Sequence, residues 1–396
     1  MGNVSGSHDF TRIKRTIESC HKLKKDMTKL RLLLLYVFML LGLGITTTAA
    51  QEVSTFEPVL SLLWNQVRMQ PDDFSVGCIP LDAPVYSFLD NADDAFPLAS
   101  ISKLLIFIEV ARRIDIGAIS EDETVDVATL NRYNLPRTDR GAHDRFMEQY
   151  PPDVQAIPLL ELAVGMIQYS SNAASDYLLD RLVSVNWDSL YQRLSLTSTT
   201  YPHSLTMIPL LMNNHETGKV TMADVASLST TQGERFLDLY IEDELWRQDE
   251  IDYRSELRSQ FPSWDVQAAI LEQHTATGTV NDFLKVLMAI YGEGDALSAD
   301  VKMMTRTALR WEDSPFISDH YLEYGSKLGF YSGGTLTLLA YGYPYDGAPI
   351  ISATFLRNIP QRTYRELLQQ DAIGELAHWM NFNGCVGLRE AIISED

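Results

Sequence analysis

Cysteine is scarce, with three in 396 residues. No Cys/His cluster has the spacing of a zinc site, so neither a metal site nor a cofactor is expected. Positive charge is also scarce. The formal net charge is −21, and a chain this acidic repels phosphate backbones, which argues against a nucleic-acid partner and fits a solvated surface. Glycine and proline, at 22 and 16 residues, are too few for a fibrous or mostly disordered chain. There is no internal repeat and no low-complexity segment. What is abundant is apolar material, 45 % of the residues, enough for one large buried core or two moderate ones.

The little positive charge there is sits at the front. Residues 1–50 hold eight Lys/Arg against three Asp/Glu, so the rest of the chain carries −26. The basic head runs into an apolar stretch, Leu32 to Ile45, and the first charge after Arg31 is Glu52. This is the pattern of an export signal, with Thr48-Ala49-Ala50 suited to a signal peptidase. The apolar stretch reaches about 20 residues if its flanking threonines and alanines join it. Two outcomes follow, a cleaved signal or a retained anchor with its basic side in the cytoplasm, and the long basic head leans toward the anchor. In both the remainder, residues 51–396, works outside the cytoplasm. There an oxidising compartment permits a disulfide between Cys78 and Cys385, though sequence alone leaves their proximity open.

Residues 51–396 read as strands, then many helices, then strands. Val59 to Val67 is an amphipathic run. Val76 to Pro80 and Pro84 to Leu89 read as two short strands, followed by a loop at Asn91 to Asp94. Ser100 to Ile114 reads as a helix apolar enough to be buried on most sides. Leu159 to Val183 is helical but broken by Tyr169-Ser170-Ser171-Asn172. Residues 213–272 hold thirteen Asp/Glu against five Lys/Arg and read as an exposed helical insertion. Thr279 to Tyr291 and Ala299 to Leu309 read as helices. Leu336 to Tyr341 and Ile350 to Leu356 read as strands joined at Tyr345-Asp346-Gly347, and Arg362 to Met380 as a closing helix. Strands at opposite ends can share one antiparallel sheet only if the ends meet. The expected fold is therefore α+β, with a helical lobe, a mixed lobe and a cleft between.

Three short patterns carry candidate chemistry. Ser100-Ile101-Ser102-Lys103 opens the apolar helix, and a spacing of three puts hydroxyl and amine on one face. A desolvated lysine loses proton affinity and can serve as a base, so the pair is a credible activated nucleophile. Alone it is a weak signal, because Ser19 and Lys22 match it in the basic head and a serine here also suits an N-cap. Ser170-Ser171-Asn172 breaks an apolar helix, where polar side chains need partners or a cleft; an ordinary turn is the plainer alternative. Lys327-Leu328-Gly329 precedes a strand. A lysine on an edge strand can attract a carboxylate, and a glycine two residues on lets a backbone come close. The Phe330 N–H can then join that of Ser100 as an oxyanion hole. The plainer alternative is a solvated lysine guarding a sheet edge.

Taken in order, Ser-x-x-Lys, Ser-x-Asn and Lys-x-Gly resemble the serine β-lactamase and penicillin-binding-protein superfamily, closest to class A β-lactamases. The resemblance spans roughly residues 75–385. Ala95 to Ser100 looks like the family's approach to its nucleophile, and Thr275-Ala276-Thr277 leading to Phe283-Leu284 looks like the helix entry before its third motif. It implies an antiparallel sheet flanked by helices, an all-helical lobe and a catalytic cleft between them. It also implies roles: Ser100 as acylated nucleophile, Lys103 as general base and Ser170 as proton shuttle. Asn172, Lys327, Gly329 and Phe330 would hold the substrate, a β-lactam or cell-wall peptide. A D-alanyl peptidase or a catalytically idle tethered binding domain would share the pattern.

Three positions depart from that pattern. Ser171 replaces the usual aspartate of the second motif, and Leu328 the usual hydroxyl residue of the third. The glutamate that class A enzymes use to activate the hydrolytic water has no counterpart in Ser204 to Met212, and Glu216 is the first carboxylate downstream. Acylation is therefore expected from the resemblance, and efficient hydrolysis is not.

Overall fold

The computed structural model describes residues 57–256, 261–311 and 314–394; the basic head and the run Leu32 to Ile45 lie outside them. Five strands taken from both ends of this span form one antiparallel sheet. β1 (Phe74–Pro80) and β2 (Phe88–Asp90) precede the helical middle, and β3 (Tyr321–Tyr331), β4 (Thr335–Pro344) and β5 (Ile350–Leu356) follow it. Their spatial order is β2-β1-β5-β4-β3. The early and late parts meet where β1 pairs with β5, Val76 opposite Thr354. β3 is an edge strand, paired on one side with β4 so that Lys327 lies opposite Leu339.

The helices include α1 (Glu57–Met69), α2 (Lys103–Asp115), α3 (Leu159–Gln168), α4 (Asn172–Arg181), α5 (Met207–Met212), α6 (Thr230–Glu242), α7 (Glu244–Glu256), α8 (Trp264–His274), α9 (Val280–Tyr291), α10 (Ala299–Leu309), α11 (Gln361–Gln369) and α12 (Ala372–Ser394). Leu339, Tyr341, Ile351, Ala353 and Phe355 join the core built with α2, α3, α9 and α10. Alternate residues, among them Leu336, Leu338, Ala340 and Leu356, join a second core with α1, α11 and α12. Both faces of the sheet are thus covered, which is why β4 and β5 are buried almost without a break rather than at every second residue. The second core holds a disulfide between Cys78 of β1 and Cys385 of α12, 307 residues apart in sequence.

Four expectations need correction. Pro84–Tyr86 is a 3₁₀ turn and only Phe88–Asp90 is strand, since a proline lacks the N–H a ladder needs and suits the first position of a helical turn. The helix expected from Ser100 begins as a 3₁₀ turn, Ala99–Ser102, and becomes α-helical at Lys103. The closing helix is two helices, broken at Asp371 in the left-handed region, and the second runs on to Ser394 with a kink at Gly384.

The acidic segment is helical, but it has an interior. Phe236 and Tyr240 are buried against Leu135 and Leu210. Glu250 and Arg254 of α7, one helical turn apart, are fully buried as an ion pair at 2.6 Å. Arg254 also donates to the Asn213 carbonyl at 2.7 Å, and Glu250 accepts from the His215 backbone N–H at 2.8 Å. Counting charge missed this, because only the four-residue spacing of one pair distinguishes it from the exposed carboxylates around it.

Candidate active site

Several tethers fix the backbone leading to Ser100. Phe96–Pro97 pairs with Thr277–Gly278, the Leu98 N–H donates to the Ala276 carbonyl at 2.9 Å, and Thr337 Oγ1 of β4 donates to the Leu98 carbonyl at 3.0 Å. Ala99 then takes a φ of 48°, a strained value for a residue with a Cβ and one that persists only where its surroundings impose it. The turn presents Ser100 half-buried at the start of α2.

Gly329 closes against this turn. A Cβ there would stand 2.9 Å from both the Ser100 nitrogen and the Leu98 carbonyl oxygen, and closer still to Thr337 Oγ1. Only glycine lets β3 approach the backbone of Ser100 so closely.

Lys103 is fully buried. Its amine donates to the Ser170 carbonyl at 2.6 Å, to Asn172 Oδ1 at 2.8 Å and to Ser170 Oγ at 3.3 Å. Lys327, 4 % exposed, reaches the same hydroxyl from the opposite side at 3.1 Å and also donates to the Leu328 carbonyl at 2.9 Å. The Ser170 hydroxyl thus bridges two lysines, and the Ser100 hydroxyl enters none of these bonds. Ser170 can accept from both because it sits between α3 and α4 with φ at 67°, turning carbonyl and side chain toward the cleft.

Burial holds both amines below the usual lysine range. Loss of water is the main cause at Lys103, the Lys327 charge adds to it, and Asp176 and Asp139 oppose it. Burial alone brings Lys327 to about 7. Two buried ammonium groups so close cannot both be fully charged at neutral pH, so one amine is free to take a proton.

The structure therefore gathers Lys103, Ser170, Asn172 and Lys327 into one hydrogen-bonded group. It sets Gly329 on the backbone of Ser100, with Phe330 next along the edge strand.

Three supports had no legible signal in the sequence. His143 is buried behind the second motif, its Nδ1 3.0 Å from Ser171 Oγ and its Nε2 3.1 Å from Asn131 Oδ1. That network assigns the proton to Nε2, with the Ser171 hydroxyl donating to Nδ1, and burial lowers the imidazole's proton affinity, which keeps it neutral. Ser171 also caps α4, accepting from the Ala174 N–H at 3.1 Å. A serine at this place still anchors its turn, through a histidine. Asp139 accepts from the backbone N–H groups of Gly141, Ala142 and His143. Asp176 is the buried carboxylate nearest the expected place of a hydrolytic base. It is taken up by Ser204 Oγ at 2.8 Å and the Leu205 and Thr206 N–H groups, each at 2.9 Å. Glu216 is engaged elsewhere, accepting from Arg235 and Trp246 at 3.3 Å each.

The family model of the beta-lactamase enzyme family matches residues 67–377. The chain belongs to this family. Among solved structures it is similar to a β-lactamase from Sphaerobacter thermophilus, with 16 % identity, a TM-score of 0.52, and coverage of 83 % of this chain and 97 % of that one. A class A β-lactamase from Mycobacterium abscessus gives 14 % identity and a TM-score of 0.47 over 81 % and 98 % of the two chains. PBP-A in an acyl-enzyme complex with penicillin G gives 16 % and 0.46 over 79 % and 96 %. At 16 % identity the first of these likenesses speaks for the fold alone. No curated protein matches the sequence significantly. Among the described residues no helix is long and apolar enough to cross a membrane.

Proposed function

We propose that this protein is an exported serine hydrolase that forms an acyl-enzyme on Ser100 with β-lactams or related amides and esters, and that it releases the acyl group slowly. The observation that carries this reading is the single hydroxyl of Ser170 held between Lys103 and Lys327, beside a nucleophile whose backbone N–H lies against Gly329. Ser100 Oγ attacks the substrate carbonyl carbon, and its proton passes to the Lys103 amine. The Ser100 and Phe330 N–H groups receive the oxyanion. The C–N bond then breaks, the leaving nitrogen takes the proton through Ser170, and an ester remains on Ser100. Asn172 orients Lys103 and the acyl amide, while Lys327 attracts the substrate carboxylate. The Cys78–Cys385 disulfide supports an oxidising, extracytoplasmic setting.

Slow release follows from the carboxylates. None lies in Ser204 to Met212, and Asp176 already accepts three hydrogen bonds. The same observation favours a second reading, a penicillin-binding D-alanyl peptidase using these residues.

Mass spectrometry after exposure to benzylpenicillin tests both. We expect an adduct on Ser100, absent from Ser100→Ala, that persists after free penicillin is removed. An adduct that clears within minutes would show that some group activates water after all. No adduct at all would leave a binding domain without catalysis.

The pH dependence of acylation is a second test. Raising pH frees the Lys103 amine, which speeds proton removal, and then discharges Lys327, which weakens its hold on the carboxylate. With Lys327 at about 7, the second-order rate constant should follow a bell whose descending limb lies near neutrality. A penicillin methyl ester has no carboxylate for Lys327 to hold, so it should lose that descending limb. An identical profile for acid and ester would remove Lys327 from substrate binding.

A further inference from the structure

We propose that the cleft continues past Asn172 into a site for a carboxylate on the acyl side of the substrate, built by Arg140 and Arg137 over Tyr364. This rests on the reading of Ser100 as the nucleophile and names the kind of acyl donor the site would take. A cavity of about 210 Å³ opens there, lined by Asn172 and Phe330 of the site and by Arg137, Arg140 and Tyr364. Phe330 lies three residues beyond Lys327 on β3, about 10 Å along an extended strand. A substrate with its own carboxylate at Lys327 and its carbonyl at Ser100 therefore extends its acyl portion toward this cavity.

Much of the wall is apolar, from Leu205, Ile208, Pro209, Met212 and Phe261, and the charged groups on it are the two arginines, with tyrosine, serine and threonine hydroxyls beside them. The Arg140 guanidinium lies 4.7 Å from the centre of the Phe330 ring, above the wall that the acyl group must pass. Tyr364 is 3 % exposed, and its buried hydroxyl makes no hydrogen bond. A buried phenol without a partner is costly unless a ligand supplies one. Arg140 and Tyr364 line the same cavity, which places cation and donor on one ligand volume. Arg137 spends one Nη1 donor on the Arg254 carbonyl at 3.1 Å, so α7 holds it at the rim.

No carboxylate lines the cavity among the described residues. In a chain of net charge −21, two arginines facing a cavity without an acidic partner favour an anion. A planar carboxylate fits the guanidinium fork.

Benzylpenicillin and carbenicillin differ by one carboxylate on the acyl side chain. We expect carbenicillin to acylate Ser100 at least about tenfold faster in second-order rate, the size of one charge-assisted hydrogen bond. A parallel pair, succinyl- and butyryl-D-alanyl-D-alanine, reports the same preference for peptides. The pair that shows it identifies the source of the carboxylate. Arg140→Gln together with Arg137→Gln should bring the ratio toward one. Because each ratio is taken within one protein, the amount of folded protein cancels.

Equal rates within both pairs would overturn the proposal and leave Ser100 as nucleophile. A preference that survives in the double variant would overturn the assignment to these arginines. No adduct from any of the four compounds would overturn both readings together.

Discussion

Lys103→Met should slow acylation of Ser100 by about 10²- to 10⁴-fold, the usual worth of a general base, while the fold remains. Methionine keeps the length of the side chain and removes the one amine that contacts both Ser170 and Asn172. Lys103 is fully buried, so bulk buffer cannot replace it as proton acceptor. Lys103→Arg should fail equally, because a guanidinium stays protonated in proteins and cannot accept the Ser100 proton. Stopped-flow acylation with a chromogenic cephalosporin gives the rate, and circular dichroism checks the fold. A methionine variant that acylates at the wild-type rate would transfer the base role away from Lys103.

Replacing both bridge cysteines, as Cys78→Ser with Cys385→Ser, should lower the unfolding free energy by about 3–5 kcal/mol. The bridge closes a loop of 307 residues, and the entropy withheld from the unfolded chain grows with the logarithm of loop length. The bond also ties the strand that joins early and late halves of the sheet to α12, so its loss is felt where the sheet is closed. Denaturant titration measures the change. Cys78 lies on β1, three strands away from the edge strand that carries Lys327, so the acylation rate per folded molecule should be unchanged. A midpoint that does not move would mean that the core alone keeps α12 docked.

How much of this was legible follows from how local each feature is. Ser100 and Lys103 are one turn apart, and Ser170 and Asn172 two residues apart, so sequence places each pair by itself. Helices such as α9 and α10 announce their own periodicity. β3 did not, because Tyr321–Tyr331 alternates tyrosine, glycine, glutamate and serine, and its apolar partners are supplied by other elements. The covered sheet also hid the period of two in β4. His143 lies in a polar stretch, and only the tertiary fold makes it a partner of Ser171, 28 positions away. Arg137 and Arg140 lie in a polar stretch with no periodicity of its own. Their place at the cleft is set by Asp139 and by the distant carbonyl of Arg254. The burial of Glu250 and Arg254 was hidden in the same way, since their enclosing atoms come from Pro209 and Asn213.

The pairing of β1 with β5 also sets an order of events during synthesis. β1 ends at Pro80 and its neighbour β5 begins at Ile350, so about nine tenths of the 396-residue chain must emerge before the central pairing of the sheet can form. Lys327 arrives almost as late, on an edge strand paired with β4. A nascent chain therefore carries Ser100 and Lys103 long before Lys327 and Gly329 can close on them. Such long-range closure folds slowly. Under the export proposed above, that delay would keep a segment still unable to complete its sheet threadable while it crosses a membrane.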